Sequence, residues 1–368
     1  MVEVIRGALK DYAWGIPDGL APWSGESTGA PQAELWFGAH PSAPSWVADR
    51  SLTLDAVLPQ SEVPLLTKLL AAATPLSIQV HPHAQLAREA FAEQQVPGAD
   101  QVYSDPEEKT ELLIAIEHFE VFAGWRGTAD ALAILAGIHG TEQARTALEQ
   151  SGPIAAVPLL LAMNTDTRAV QLVDSVRAVG LGDSEVDAYA TVARMYPDDP
   201  GLLVSVLLAY RELKPGNAIY VPAGVPHSYI RGLGLEVMTS SDNVVRLGLT
   251  PKPVFVDAAL LALSPAHDEV FIDANFGDRI APVGAPFAVT MTGDESSLDS
   301  GNFRVVVALD GQAAITAHAG GAAITLDQGE AAVITAGEPA VRVTTSGRVA
   351  LVEHLLVTVP VTVPNPTH

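Results

Sequence analysis

Short apolar runs, interrupted by Pro, Gly and aromatic residues, fill the first third of the chain. The stretches 34–38 and 76–80 have the length and composition of strands bounded by turns. The stretch 85–95 instead fits a helix. Residues 1 to about 125 are therefore predicted to form strands and loops, with at least one helix near 85–95.

A helical period replaces this pattern between residues 128 and 210. Ala, Leu, Glu, Gln and Arg dominate there, and Leu132, Leu135 and Ile138 recur at the spacing of one helix face. Gly and Pro interrupt the period at 152–153, 180–183 and 197–200. We predict four or five short helices, inserted as a subdomain into a chain that is otherwise rich in β-structure.

β-Structure is predicted again from residue 214 to near the end of the chain. Val, Thr, Ala and Gly alternate there, and turn dipeptides such as Asp310-Gly311 and Ser346-Gly347 recur. This spacing is typical of antiparallel sandwiches or barrels of short strands. The predicted fold class is therefore mainly β with an inserted α-helical block.

An internal repeat indicates a hairpin corner that is used twice. Residues 213–226 align without gaps to residues 326–339, and six of the fourteen positions are identical. The next residue is His227 in the first copy and Ala340 in the second, so the repeated scaffold carries a potential ligand only once. Chance similarity between Gly-rich turns is the alternative explanation.

Composition narrows the possible partners. The chain has 20 Lys and Arg against 43 Asp and Glu, which gives a formal charge of −23. No basic run is present that could bind nucleic acid or an anionic membrane, whereas a small anionic substrate needs only one or two local cations. The 368 residues include no Cys, so a transition metal must be held by His, carboxylate or carbonyl ligands.

The first residues lack the apolar segment of a signal peptide, and no apolar run is long enough to span a bilayer, which predicts a soluble cytoplasmic protein.

The motif Ser-Ile-Gln-Val-His-Pro at 77–82 is the strongest local chemical signal. Because alternate side chains of a strand share a face, Ser77, Gln79 and His81 are expected on one side, and the two aliphatic residues face the core. Three polar groups on one strand face suit a metal or sugar site. His227, which follows the turn 221–226, is a further candidate ligand. The alternatives are an exposed polar sheet face and a hydrogen-bonded core histidine.

Two other segments contribute charged candidates. Lys109 and Glu111 share a face if the run 105–111 is extended, and a solvated charge run is the alternative. Arg246 and Lys252 are the only cations of the segment 240–252, which follows Glu236. Two cations near a metal site suit phosphate binding, whereas ordinary ion pairing with surface acids is the alternative.

Five motifs, taken together and in this order, resemble the type I phosphomannose isomerases, which are zinc enzymes of the cupin superfamily. The resemblance runs from residue 12 to about 257 and is weaker in the C-terminal β region. The motifs are Tyr-Ala-Trp-Gly (12–15), Ala-Glu-Leu-Trp-Phe-Gly-Ala-His-Pro (33–41), Pro-Leu-Ser-Ile-Gln-Val-His-Pro (75–82), Val-Pro-Ala-Gly (221–224) with His227, and Ser-Asp-Asn-Val-Val-Arg (241–246) with Leu-Thr-Pro-Lys (249–252).

The resemblance implies one Zn²⁺ per chain, held by Gln79, His81, Glu111 and His227. It also implies three domains: a metal-binding cupin (jelly-roll) barrel, an inserted helical subdomain and a degenerate cupin-like β domain. Their expected bounds are 1–126 with 211–262, 127–210, and 263–368.

The chain departs from the family pattern in two places. Glu108 and Thr110 stand where the family usually has His and Pro, and Ala84 stands where it usually has Lys. These departures leave the residues that open the sugar ring unassigned.

The reaction implied by the resemblance interconverts mannose 6-phosphate and fructose 6-phosphate through an enediol or enediolate. Lys109 and Arg246 are expected to act on the chemical step, with Glu236 and a zinc-bound water as other candidate bases. Ser77 and Lys252 are expected to contact the phosphate. Another cupin metalloenzyme, such as a dioxygenase, and a non-catalytic sugar-phosphate-binding protein are the alternatives. The expected partner is a small sugar phosphate, without nucleic acid or membrane, and the expected oligomeric state is a monomer.

Overall fold

The computed structural model of the chain describes residues 1–163, 168–266, 270–318 and 320–355. They form two compact units. The larger unit is Ile5–Phe276, and the smaller comprises Met1–Val4 with the described residues from Gly277 onwards. No helix among the residues described is long and apolar enough to cross a membrane.

Strands dominate the chain before the helical block. They are β1 (Val2–Arg6), β2 (Ala8–Lys10), β3 (Ile16–Pro17), β4 (Pro31–Gln32), β5 (Glu34–Phe37), β6 (Trp46–Val47), β7 (Leu65–Ala72), β8 (Ile78–Val80) and β9 (Glu111–Trp125). The helices of this region are α1 (Ala21–Ser24) and α2 (Ala84–Glu93), with 3₁₀ turns at Leu54–Ala56 and Gln60–Glu62. Helix α2 confirms the helix predicted near 85–95.

Six helices form the block between β9 and the next strand, within the described residues. They are α3 (Thr128–Ala136), α4 (Glu142–Ser151), α5 (Pro153–Leu161), α6 (Arg168–Ala178), α7 (Asp183–Met195) and α8 (Gly201–Ser205). The predicted breaks at 152–153, 180–183 and 197–200 all separate helices. The predicted number, four or five, is too low, because α8 has only five residues and shows no helical period.

β-Structure resumes after the block, but earlier than the predicted position 214, because β10 begins at Leu208. The larger unit continues with β10 (Leu208–Leu213), β11 (Ala218–Val221), β12 (His227–Thr239), β13 (Val245–Gly248), α9 (Val256–Ala262) and β14 (Phe271–Ile272). The smaller unit contains β15 (Arg279–Ile280), β16 (Phe287–Thr292), β17 (Ser296–Leu298), β18 (Arg304–Asp310), β19 (Ala313–Ala317), β20 (Ile324–Leu326), β21 (Glu330–Ile334), β22 (Val341–Thr345) and β23 (Arg348–His354).

One antiparallel sheet forms the frame of the larger unit. Its strand order is β14-β11-β9-β12-β7-β5-β2, and β8 joins it by pairing with β12 and β13. Strand β9 pairs with β11 along its first residues and with β10 along its last ones. The exposed residues Glu117 and His118 lie between these two stretches. The first half of β9 therefore has β11 as a neighbour, and the second half has β10.

The helical block covers one face of β8 and β13. Ile78 and Val80 of β8, and Val245 and Leu247 of β13, belong to the same apolar cluster as the buried residues of α3–α8. Because side chains alternate along a strand, the residues between them project from the opposite face. The sequence pattern predicted this alternation for β8, and the structure confirms it.

The two copies of the sequence repeat occupy matching corners. In the first copy a turn at Gly216 leads into β11, and in the second a turn at Gly329 leads into β21. Both glycines have positive φ, 93° and 85°, a conformation that side chains disfavour. The first of the two glycines that the copies share is therefore explained by the backbone of the turn.

Two sheets pack face to face in the smaller unit. Apolar residues from both sheets, such as Val306, Ala332, Ile315 and Val343, form one buried cluster between them. Arg304 is fully buried in this unit, with 0% of its surface exposed. Its guanidinium donates at 2.8–3.2 Å to the main-chain carbonyls of Asp299, Thr335, Glu338 and Pro339.

Replacing Arg304 by Met should destabilise the smaller unit by about 3 kcal/mol or more, because several carbonyl groups then lose their donor at about 1–3 kcal/mol each. Arg342 is the matched control, since it is 55% exposed and pairs with the equally exposed Glu295. Arg342→Met should cost less than about 1 kcal/mol. Urea unfolding of the full chain measures both values, and equal values for the two variants would contradict the structural role of Arg304.

Candidate metal centre

Four predicted ligands from three neighbouring strands converge inside the larger unit. Gln79 pairs with His227 across β8 and β12, and Gln79 Nε2 lies 3.1 Å from His227 Nε2. His81 follows β8, and Glu111 begins β9. Glu111 Oε2 lies 3.3 Å from His81 Nε2 and 3.4 Å from His227 Nε2. His81 and His227 are fully buried and Glu111 is nearly so, which makes the group a compact internal cluster.

Main-chain carbonyls decide which ring nitrogens face this cluster. His81 Nδ1 lies 2.6 Å from the carbonyl oxygen of Asn243, and His227 Nδ1 lies 3.0 Å from that of Val225. Because a carbonyl oxygen can only accept, both Nδ1 atoms carry the proton. Both Nε2 atoms therefore present a lone pair to the cluster, as metal-binding histidines do.

These lone pairs face one another without a hydrogen atom between them. Among the described residues, neither His81 Nε2 nor Glu111 Oε2 has a hydrogen-bond partner, although both atoms are buried. Unpaired buried acceptors are costly, and a divalent cation removes that cost. Two imidazoles and a carboxylate suit Zn²⁺, and a half-turn of the Gln79 amide presents its oxygen as a fourth ligand. The donor set therefore fits a zinc ion.

Electrostatics keeps His81 and Glu111 in their metal-binding forms at neutral pH. Burial lowers the pKa of His81 to about 4, against the opposing effect of Glu111. Burial alone raises the pKa of Glu111, but the Lys109 ammonium and His81 hold it well below the ordinary range of a carboxyl. The imidazole is therefore neutral and the carboxylate ionised at pH 7.

The metal-free protein should lose stability as the pH falls from about 6.5 to about 4. His81 binds a proton more weakly in the folded chain than in the unfolded chain, whose pKa is near 6.5. The unfolded state therefore binds more protons in this window, and the free energy of unfolding decreases as the pH decreases. Glu111 acts in the same direction below about pH 4.5, because its folded-state pKa is depressed. Urea unfolding of chelator-treated protein at several pH values should show this slope, and His81→Gln should flatten it. An equal slope in the variant would rule His81 out as its source.

Lys109 and Arg246 lie next to the ligands. Lys109 Nζ is 2.7 Å from Glu111 Oε1, and both side chains are buried rather than solvated. Arg246 pairs with Gln79 across β13 and β8, so their side chains share a face. Arg246 is half-buried and forms no ion pair with any carboxylate that the structure describes. Its charge is available to a ligand.

Glu236 belongs to a buried polar row on the same sheet. Its Oε1 accepts a hydrogen bond from Tyr229 OH at 2.9 Å, and its Oε2 lies 3.1 Å from Lys68 Nζ. Met238, two residues further along β12, pairs with Glu111, so Glu236 and Glu111 are diagonal neighbours on one face. Burial raises the pKa of Glu236, and the charge of Lys68 opposes this shift.

Lys68 is a candidate functional residue that the sequence-based prediction missed. Its Nζ also lies 3.5 Å from Glu34 Oε1 and 4.8 Å from the centre of the Trp36 ring. Burial alone would lower the pKa of Lys68, but Glu34 and Glu236 raise it above its ordinary value. A signal was present in the sequence, because Lys68 is the one charged residue of the buried strand β7. A buried cation in such a strand requires partners or a function.

The two predicted phosphate contacts have no described link to the cluster. Ser77 is half-buried immediately before β8, and Lys252 is exposed in the loop after β13. Within the described parts of the chain, neither side chain forms a hydrogen bond or ion pair with a predicted zinc ligand. Their assignment to the phosphate stays a prediction.

Another group of possible metal ligands comprises His118, Glu120 and Glu212. His118 is 54% exposed and Glu212 is 43% exposed. Arg231 lies 2.9 Å from Glu120 Oε1 and supplies the positive charge that this buried carboxylate needs. This group is a surface ion-pair cluster. In the buried group, by contrast, no described side chain donates to His81 Nε2 or to Glu111 Oε2.

A buried His-Glu-His group on an antiparallel β-frame, with Lys and Arg beside it, defines a metalloprotein of the cupin type. A family profile described as "Phosphomannose isomerase type I, catalytic domain" matches residues 3–128. The mannose-6-phosphate isomerase of Escherichia coli K12 is 30% identical over 398 residues, which cover 96% of this chain and 100% of that protein. Mannose-6-phosphate isomerase 1 of Arabidopsis thaliana is 28% identical, covering 76% of this chain and 74% of that protein. The chain therefore belongs to the mannose-6-phosphate isomerase family.

Solved structures agree with this assignment. A crystal structure of an alanine mutant of phosphomannose isomerase from Salmonella typhimurium has a TM-score of 0.82 at 27% identity, covering 97% of this chain and 100% of that one. A zinc-bound mannose 6-phosphate isomerase has a TM-score of 0.81 at 27% identity, with 96% and 100% covered. The predicted family and the predicted fold class, a mainly β cupin protein with a helical block, are confirmed.

Proposed function

We propose that this protein is a zinc-dependent mannose-6-phosphate isomerase, which interconverts mannose 6-phosphate and fructose 6-phosphate. The observation that carries the proposal is the buried group of facing lone pairs on His81, Glu111 and His227. The full-length similarity to mannose-6-phosphate isomerases supports the choice of reaction.

Gln79, His81, Glu111 and His227 would hold one Zn²⁺. The chemistry that the ion supplies when bound is Lewis-acid polarisation of sugar oxygens, which eases proton removal from the adjacent carbon without any redox step. The two main-chain carbonyls behind His81 and His227 orient both rings before any ligand enters.

Lys109 is the proposed proton carrier. An aldose–ketose isomerisation removes a proton from C2 and returns one to C1. Lys109 Nζ can hold a proton at the edge of the centre, where Glu111 Oε1 fixes it at 2.7 Å. Arg246, which has no described ion-pair partner, would stabilise the negative charge that develops on the substrate oxygens.

Glu236 is the other candidate base on this chain. Tyr229 and Lys68 already occupy both of its oxygens, which orients the carboxylate. Its raised pKa makes it a better proton acceptor than an ordinary carboxylate. We assign it second place, because Lys109 is the group in direct contact with a proposed zinc ligand.

The sugar phosphate is the proposed partner, and Ser77 and Lys252 are its proposed phosphate contacts. Lys252 is, with Arg246, one of the two cations of the segment 240–252, which supports a phosphate contact there. We also propose that the protein is a monomer and that it acts in the cytoplasm.

A coupled assay that detects fructose 6-phosphate formed from mannose 6-phosphate tests the proposed function. Turnover should disappear after chelation and return when Zn²⁺ is added. Oxygen uptake with bound iron would instead indicate a cupin dioxygenase. Tight sugar-phosphate binding without turnover would indicate a non-catalytic binding protein.

Lys252→Met should raise KM for mannose 6-phosphate by about tenfold with little change in kcat, because a phosphate contact exists in both ground and transition states. The KM for unphosphorylated mannose should not change, since that sugar has no phosphate group to contact Lys252. Steady-state kinetics on both sugars measures the difference. An equal effect on the two sugars would show that Lys252 does not contact the phosphate.

A further inference from the structure

The Glu108 side chain attaches the segment that carries Lys109 to the start of helix α2. Glu108 Oε2 accepts a hydrogen bond from the main-chain N–H of Ala84 at 2.8 Å. Ala84 is the first residue of α2 and lies three positions after His81. A carboxylate at a helix N-terminus satisfies an amide without an internal partner and interacts favourably with the helix dipole. The His83 ring accepts from Leu86 N at 3.2 Å, so the two acceptors serve different amides.

The main chain on either side of Lys109 is held by one residue of β12. Thr239 Oγ1 donates to the Glu108 carbonyl at 3.0 Å and accepts from Thr110 N at 3.1 Å. Thr239 N also donates to the Thr110 carbonyl at 3.1 Å. These bonds restrain the segment towards β12, whereas the Glu108 side chain restrains it towards α2. Ser241 Oγ and Asn243 Nδ2 also donate to the Glu107 carbonyl at 3.3 and 2.8 Å, so the segment is held from this loop as well as from β12 and α2.

Lys109 and Glu111 differ in how much they depend on these restraints. Glu111 is the first residue of β9 and pairs with Val221 and Met238 in two adjacent strands. Lys109 precedes β9 and has no strand partner of its own. Loss of the Glu108 contact should therefore displace Lys109 and leave the proposed zinc ligand in place.

We propose that Glu108 is a positioning residue, which fixes the Lys109 ammonium against Glu111 by fastening its segment to the N-terminus of α2. This inference rests on the proposed function. Glu108 and Ala84 are two of the positions at which the sequence departs from its family pattern, and the structure brings these two departures into contact. The donor is the main-chain amide of Ala84, so the contact depends on the side chain at position 108 and not on the side chain at position 84.

Four variants test this role with kcat, KM and zinc content as readouts. Glu108→Ala should lower kcat about tenfold, with KM and zinc content nearly unchanged, because one charge-assisted hydrogen bond is lost. Glu108→Gln should keep most of the activity, since its amide oxygen still accepts from Ala84 N. Glu107→Ala removes the same charge from the exposed neighbouring residue and should behave as the unmodified protein.

The fourth variant, Ala84→Pro, removes the donor instead of the acceptor. Proline is tolerated at the first position of a helix, and the preceding residue, His83, already has the extended conformation that proline requires. It should reproduce the kcat loss of Glu108→Ala, and the double variant should be no slower than either single one.

Several results would overturn the positioning role. One is unchanged kcat in Glu108→Ala with zinc in place. Another is a Glu108→Gln variant as slow as Glu108→Ala, which would indicate that the charge itself acts on the substrate. Loss of zinc in parallel with kcat would show a purely structural contact. An unmodified protein that does not convert mannose 6-phosphate would contradict the proposed function instead.

Discussion

Replacing His227 or His81 by Ala should abolish zinc binding and lower kcat by about a thousandfold or more. The Lewis-acid contribution of a metal is several kcal/mol, and each 1.4 kcal/mol is a factor of about ten in rate. Each substitution removes one of the Nε2 lone pairs that face Glu111 at 3.3–3.4 Å. Each substitution also removes the hydrogen bond from Nδ1 to a buried main-chain carbonyl, at a cost of about 1–3 kcal/mol, so urea unfolding must show that each variant is folded before its zinc content is compared.

His118→Ala is the matched control for these variants. It also removes an imidazole close to a Glu, but His118 lies in the exposed cluster with Glu120 and Arg231. Elemental analysis after dialysis and steady-state kinetics should show one zinc per chain and unchanged kcat in this variant. Full zinc retention in both His81→Ala and His227→Ala would contradict the proposed ligand set.

The second large effect is expected at Lys109. Lys109→Met keeps the length of the side chain and removes the ammonium group, and kcat should fall by about a hundredfold, the lower range for loss of a general acid–base group. KM should change little, because the proton moves only in the chemical step. Zinc should remain bound, because Glu111 faces the histidines with Oε2, whereas Lys109 contacts Oε1.

Lys214→Met is the control for this charge change, because Lys214 is exposed in the turn before β11. It should retain full activity. If Lys109→Met also retains near-full kcat with zinc in place, the base is elsewhere. Glu236 is then the residue to test, because it is the diagonal neighbour of Glu111 on the same face.

The local part of the site could be predicted from sequence. The alternation of β8 places Gln79 on one face and Ile78 with Val80 on the other, and only nearest neighbours in the chain are needed for that deduction. The Gly and Pro breaks between the helices are equally local. His227 was identified because it follows a Pro- and Gly-containing turn at the start of a predicted strand.

The contacts between distant segments could not be predicted in the same way. The row from Trp36 through Lys68 to Glu236 exists because β5, β7 and β12 are neighbours in a particular register. No periodicity along the chain encodes that register. The contact of Glu108 with Ala84 likewise depends on where α2 begins relative to the segment before β9.

The domain division stays a prediction. We propose the bounds 1–126 with 211–262, 127–210, and 263–368 for its three parts. The compact units described by the structure join the helical block to the metal-binding frame in Ile5–Phe276. Residues 356–368 of the proposed C-terminal domain lie outside the described part of the chain.

The most direct test of the proposed activity is NMR of the purified, zinc-loaded protein mixed separately with mannose 6-phosphate and with fructose 6-phosphate. The account predicts that both samples reach the same mixture of the two sugars, and that chelator-treated protein leaves each sugar unchanged. If one zinc is bound per chain and neither sugar converts, the protein is not the isomerase proposed here.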